Sequence, residues 1–165
     1  MQNTFTTERL IINPLTVDDH AFIIELVNSK GWLRFIGNRY ITNEAEAIEY
    51  IQKIIDNPDI DYWTVFLKNE LIPIGVVTFI KREYLEHWDI GFALLPQFEK
   101  NGYAYEATNS LLESLKEDDI HNTILATTLK DNHGSIHLLE KLGLQFEKEI
   151  LVKNDTLLLY ATSLI

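Results

Sequence analysis

Apolar residues along this chain repeat at two spacings, every second residue in some stretches and every third or fourth in others. The changes of spacing mark the elements. Residues 7–15, TERLIINPL, read as a strand. Thr16 and Asp19 then set a Thr-x-x-Asp cap for a helix that turns Phe22, Ile23, Leu26 and Val27 inward. The stretch GWLRFIGNRY (31–40) mixes aromatic and basic residues without a period and reads as a loop. Asn43 and Glu46 form a second capping box, and Ala47, Ile48, Ile51, Ile54 and Ile55 give its helix a buried stripe.

From residue 62 the texture is that of strands. YWTVFL (62–67), the turn Lys68-Asn69-Glu70 and LIPIGVVTFI (71–80) predict a hairpin, and HWDIGFALL (87–95) a third strand stopped by Pro96. Ala104, Ala107, Leu111, Leu112 and Leu115 recur at helical spacing through residue 116. NTILATTL (122–129) is a short apolar strand. The helix 133–142 places Ile136, Leu139 and Leu142 on one face and ends at Gly143, where a left-handed residue is wanted. Strands 145–152 and 156–163 flank the turn Lys153-Asn154-Asp155. The order βαα, βββ, α, β, α, ββ predicts an α/β (α+β) chain with one sheet and helices on its faces.

At 165 residues the chain fits a single domain, 1–165, with a full hydrophobic core, and no internal repeat or linker divides it. No apolar run approaches the roughly 20 residues of a membrane helix, so no membrane association is expected. The start MQNTFTTERL lacks the charged and apolar regions of a secretory leader, and a cytoplasmic location is expected. The absence of cysteine removes disulfides, thiolate metal sites and a cysteine nucleophile. Fourteen basic against 25 acidic residues give a net charge of −11, which repels nucleic acid and anionic lipid. The same charge tolerates a cationic substrate such as an amine, or simply keeps the chain soluble.

Candidate chemistry begins at QFEKNGYAYEA (97–107), a loop containing Asn101-Gly102 that runs into a helix. The first amides of a helix have no internal partner and carry the positive end of its dipole, so a strand, glycine loop and helix in succession can hold an anion. Gly102 admits close approach, Ala104 keeps the next contact small, and Lys100 adds a positive charge. The competing reading is a plain loop-to-helix turn punctuated by Asn-Gly. His133 and His137 have the i, i+4 spacing of paired metal ligands, but Gly134-Ser135-Ile136 between them lacks a metalloprotease glutamate. No metal is expected.

The segment WDIGFALLPQFEKNGYAYEATNSLLESL resembles the acetyl-CoA-binding core of the GNAT acetyltransferases, in particular the RimJ/RimL type that acetylates protein N-termini and other amines. There a strand like Glu-Ile-Gly-Tyr leads through a proline to a loop like Trp-Gly-Lys-Gly-Tyr-Ala and then Glu-Ala. Asp89-Ile90-Gly91-Phe92, Pro96, Asn101-Gly102-Tyr103-Ala104 and Glu106-Ala107 fall in that register. NHGSIHLLEKLGLQFEKE is similar to the family's Asn-x-x-Ser and Glu-Lys-Leu-Gly-Phe, through Asn132, Ser135, Glu140, Lys141, Leu142 and Gly143. The opening TERLIINPLTVDD also matches. Departures are Glu99 and Lys100 where the family favours Trp and Gly, Leu144 for Phe, and Leu139 at a position where many members carry a tyrosine general acid.

The resemblance implies the GNAT fold: a single mixed, mostly antiparallel sheet of about seven strands, splayed at its centre, with about four helices. It implies acetyl-CoA as cosubstrate, without metal, and transfer to a primary amine (a peptide N-terminus or small molecule) by direct attack in a ternary complex. The protein would be a monomer or homodimer. Backbone groups of Phe92, Ala93 and Leu94 would hold the pantetheine, and Lys100, Asn101, Gly102, Tyr103 and Ala104 the pyrophosphate. Asn132 would bond the pantetheine or cap its helix, and Ser135 would donate to the sulfur or be a solvated hydroxyl. Asp89 would relay the amine proton through water, or only face the surface. Trp32, Phe35 and Tyr40 would line the acceptor groove or pack at the core's edge. Glu99 beside a pyrophosphate favours an alternative, a catalytically weak acyl-CoA-binding or regulatory module of the same fold.

Overall fold

A computed structural model of the chain describes residues 3–164. A two-residue strand that was not predicted, β1 (Phe5–Thr6), precedes the predicted first strand, which forms as β2 (Leu10–Pro14) after a break. Thr7 causes the break: its N–H donates to the Leu10 carbonyl at 2.9 Å while its Oγ1 accepts from the Leu10 N–H at 3.0 Å, closing a tight turn. A 3-10 turn at Val17–Asp19 leads into α1 (His20–Val27). Asp19 Oδ2 accepts from the Thr16 N–H at 3.1 Å, as the cap spacing implied, and also from the Thr64 hydroxyl at 2.9 Å.

The stretch read as a loop contains a short helix, α2 (Lys30–Phe35). Its six residues have little intrinsic tendency to stay helical. Burial of Trp32 in the core holds it. α3 (Glu44–Ile55) opens at Asn43, whose side chain accepts from the Glu46 N–H at 2.9 Å. Glu46 reaches back one residue further than the box pattern predicts, to the Thr42 N–H at 2.8 Å.

The remaining elements are β3 (Ile60–Leu67), β4 (Pro73–Ile80), β5 (Asp89–Leu94), α4 (Tyr103–Glu117), β6 (Thr123–Leu129), α5 (His133–Lys141), β7 (Gln145–Val152) and β8 (Asp155–Ser163). They form one eight-stranded sheet in the order β1-β2-β3-β4-β5-β6-β8-β7, where about seven strands were expected. Five α-helices stand where about four were expected, α2 being the addition. α5 ends as predicted, with Gly143 at φ 93°.

All neighbouring strands are antiparallel except β5 and β6. That parallel pair has a single register position, Asp89 opposite Leu125, after which the strands part. β5 stays laddered to β4 out to Leu94, and β6 to β8 out to Leu129. The sheet therefore opens like a V at its centre.

Two apolar clusters fill the two faces. On one, Ile90, Ile124, Ala126 and Val77 pack with Leu111, Leu112 and Leu115 of α4 and Leu139 of α5. On the other, Val76 and Leu95 pack with Ile23 and Leu26 of α1, Trp32 of α2 and Ile51 of α3. Side chains alternate across a strand, so Phe92 and Leu94 belong to the α4/α5 face and Ala93 to the α1–α3 face.

Candidate active site

Backbone polar groups of a strand alternate between its two edges. The Trp88 carbonyl accepts from the Leu125 N–H at 3.0 Å, toward β6, and the Leu95 N–H donates to the Ile74 carbonyl at 2.8 Å, toward β4. With unbroken register between, the N–H and C=O groups of Phe92 and Leu94 face the opening of the V. Those of Ala93 face β4, so Ala93 presents only its side chain, on the α1–α3 face.

The chain leaves β5 through Leu95 and a 3-10 turn at Pro96–Phe98 and reaches the N-terminus of α4 at the same open end. Gly102 is the capping residue, at φ 82°, and no side chain caps the helix among the described residues. The helical ladder starts with the Glu106 N–H donating to the Gly102 carbonyl at 3.0 Å. The amides of Tyr103, Ala104 and Tyr105 thus stand at a bare positive helix end. Lys100 adopts φ 64°, a left-handed conformation costly for a lysine, which marks the loop as held in shape. Asn101 helps hold it, donating from Nδ2 to the Glu99 carbonyl at 3.0 Å.

Arg9, which the periodic pattern gave no reason to single out, also fixes this loop. Its Nε donates to Glu106 Oε1 at 2.8 Å and its Nη1 to the Asn101 carbonyl at 2.9 Å, and its guanidinium lies 4.4 Å from the centre of the Tyr103 ring. Thr7 and the Arg9 N–H bond the other carboxylate oxygen of Glu106, at 2.6 and 3.1 Å. Partial burial raises the Glu106 carboxyl, but the hydrogen bonds from Thr7 and Arg9 outweigh it and hold its pKa below the usual range. A Cβ at Gly102 would sit 3.3 Å from an Arg9 guanidinium nitrogen. Arginine, glutamate and glycine together define the entrance to α4.

Glu99 is exposed. Its Oε1 lies 3.8 Å from where a Cβ of Gly31 would be, so the carboxylate is turned to the first turn of α2. At its other end α2 reaches the turn after β6, with Arg34 Nη2 donating to Asp131 Oδ2 at 3.3 Å. α2 thus spans the α1–α3 side of the V, from the β5 exit to the β6 exit. Trp32 is buried there, Phe35 is half-buried under the Arg34 guanidinium at 4.6 Å, and Tyr40 projects outward at 80% exposure.

On the α4/α5 side, Asn132 caps α5, its side chain accepting from the Ser135 N–H at 3.2 Å. Its amide nitrogen has no hydrogen-bond partner among the described residues, and neither has the half-buried Ser135 hydroxyl. Leu139, where the resemblance led to the expectation of a tyrosine, is 1% exposed within the core. His133 and His137 are exposed.

Asp89 lies at the closed end of the V on the α1–α3 face, 3% exposed rather than facing solvent. Burial pushes its carboxyl from the usual 3.8 up to about 6, although Arg82 Nε donates to its Oδ2 at 2.9 Å and opposes the rise. Arg82 is the second partner that local pattern did not reveal, because a turn of irregular chain separates the two residues. Candidate base and candidate acid therefore flank the gap from opposite faces. A groove of about 680 Å³ between β1, the outer side of α4 and Lys141 shares Arg9, Gly102 and Glu106 with the α4 entrance but is lined by none of Phe92, Leu94, Asp89 and Ser135. Glu106, Glu113 and Glu117 line it, an unfavourable wall for a phosphate.

The sheet opens at its one parallel pair, and strand amides facing that opening lead to a bare helix end. Residues 9–145 match the family described as acetyltransferase (GNAT) domain, and the chain belongs to that family of acyltransferases. It is 28% identical over 143 residues to an uncharacterised N-acetyltransferase, YnaD, of Bacillus subtilis (strain 168), covering 86% of this chain and 82% of that one. Its fold is similar to that of a GNAT-family acetyltransferase from Bacillus anthracis, with a TM-score of 0.83 at 22% identity over 98% of this chain and 99% of the other. RimL, a ribosomal L7/L12 α-N-protein acetyltransferase in complex with coenzyme A, shares the fold with a TM-score of 0.83 at 16% identity, over 98% of each chain.

Proposed function

We propose that residues 1–165 form a single acetyl-CoA-dependent N-acetyltransferase domain that acetylates a primary amine by direct attack in a ternary complex. The observation that carries this reading is the continuity of Phe92 and Leu94, whose backbone faces the gap, with the bare first turn of α4 at Gly102. The strand amides suit a pantetheine arm, and the amides of residues 102–105 suit a pyrophosphate. Lys100 adds charge at the rim.

When bound, acetyl-CoA supplies an activated carbonyl and a thiol leaving group. An amide facing the gap, from Phe92 or Leu94, is placed to donate to the carbonyl oxygen as negative charge builds there. Asp89, ionised above pH about 6, takes the proton the amine loses, through water because its carboxylate lies at the closed end. Ser135, whose hydroxyl has no partner among the described residues, donates toward the sulfur as the C–S bond breaks, and Asn132 holds the first turn of α5 in place. Trp32, Phe35 and Tyr40 form the acceptor side. A cytoplasmic enzyme, monomeric or dimeric, acting on a peptide N-terminus as RimL does, or on a small amine, fits this arrangement.

The test is release of free thiol from acetyl-CoA across a panel of peptide and small-molecule amines. Amine-dependent release with acetylated product is expected. Coenzyme A binding without release for any amine would instead favour a binding module.

A further inference from the structure

The acceptor side carries an arginine that no carboxylate answers among the described residues. Three of the four arginines have carboxylate partners: Arg9 with Glu106 at 2.8 Å, Arg34 with Asp131 at 3.3 Å and Arg82 with Asp89 at 2.9 Å. Arg39 has none among the described residues. Its guanidinium lies 5.7 Å from the centre of the Trp32 ring, and its one hydrogen bond among the described residues is long, Nη1 to the Gly37 carbonyl at 3.4 Å. In a chain with 25 acidic side chains, an arginine without an acid is informative.

Its surroundings lack partners too. Trp32 Nε1 is buried without a hydrogen-bond acceptor. The Tyr62 hydroxyl lies against the Tyr50 phenol without a well-formed hydrogen bond, and the charge of Arg39 acts on it. Buried polar atoms are normally satisfied, so Trp32 Nε1 and the Tyr62 hydroxyl keep hydrogen-bonding capacity on the side of the fold that carries Arg39. The loop that carries Arg39 is held in a costly shape. Tyr40 has φ 56°, with its N–H bonded to Asn38 Oδ1 at 2.8 Å. That geometry sits beside α2, which spans the mouth of the V.

We propose that the acceptor is a primary amine that also bears a carboxylate, and that Arg39 binds this carboxylate against the Trp32 face. The inference rests on the acetyl-transfer reading and specifies its substrate class. A guanidinium presents a planar fork that takes a carboxylate through two parallel bonds, and an aromatic face behind it keeps the fork oriented. The net charge of −11 repels anions at long range, so a local cation is needed for an acidic acceptor to dock.

Two sources of the carboxylate are separated by matched acceptors: free α-amino acids against their amides, and peptide amides that begin with Asp against those that begin with Asn. In at least one pair the wild-type enzyme should prefer the acid by about 10-fold or more in kcat/KM, as expected of one charge-assisted pair. Arg39→Gln should erase that preference through the KM of the acid, and Arg39→Lys should keep part of it. Coenzyme A affinity, measured by calorimetry, should stay the same in both variants. Equal rates for acid and amide in both pairs, or equal losses for acid and amide in Arg39→Gln, would overturn the assignment while leaving acetyl transfer standing. Absence of thiol release with every amine would overturn both.

Discussion

At the scale of single residues the proposed acetyl transfer rests on Asp89 and Ser135, and their environments make different predictions. Asp89 titrates near pH 6 in the folded protein against 3.8 in the unfolded chain, because burial disfavours its charge more than Arg82 restores it. Between about pH 4 and 6 the native state keeps a proton that the unfolded state has released, so this group's contribution to stability falls as pH rises through that window. A shift of about two units corresponds to roughly 3 kcal/mol at most. Denaturant unfolding of wild type and Asp89→Asn at pH 4.5 and 7.5 should show wild type losing ground to the variant at the higher pH; parallel behaviour would place the carboxyl's pKa near its ordinary value. Ser135→Ala should lower kcat by about 10- to 10³-fold, the usual worth of one positioned proton donor, with coenzyme A affinity little changed. Wild-type turnover in that variant would assign the proton to water.

Among elements, the entrance to α4 is the proposed seat of the coenzyme A pyrophosphate, with Gly102 as its capping residue. A side chain there must adopt φ 82° and crowd Arg9 as well as any phosphate on the amides beyond. Gly102→Val is expected to weaken coenzyme A binding by about 100-fold, through lost charge-assisted bonds, while circular dichroism still shows a folded protein. Unchanged affinity by calorimetry would move the pyrophosphate elsewhere. The sequence pattern made Gly102 visible, because a glycine between a strand and a helical run is a local signal. Arg9 and Glu106 lie 97 residues apart, and nothing in their immediate neighbours announces that they meet. For the same reason α2 escaped notice: a six-residue helix containing Gly31 has weak local preference, and Trp32's burial, a tertiary fact, creates it.

For the whole molecule, helical spacing, alternation and short apolar runs located every long element: the long helices bury one stripe and keep its period, whereas β3, β4 and β6 are buried on both faces and read as runs. Strand order was not in those periods. That β8 inserts between β6 and β7, and that β5 and β6 part after Asp89 and Leu125, depend on pairings between distant segments. Resemblance to the family anticipated the opening, and the backbone phase of Phe92 and Leu94 gives it a physical basis. The account therefore turns on whether coenzyme A lies in that opening. Amide hydrogen exchange resolved by NMR, with and without saturating coenzyme A, tests this most directly. The amides of Phe92, Leu94 and residues 100–105 should slow together when the ligand is added. Protection confined to the outer groove along residues 109–117 of α4, with Phe92 and Leu94 unchanged, would contradict the account.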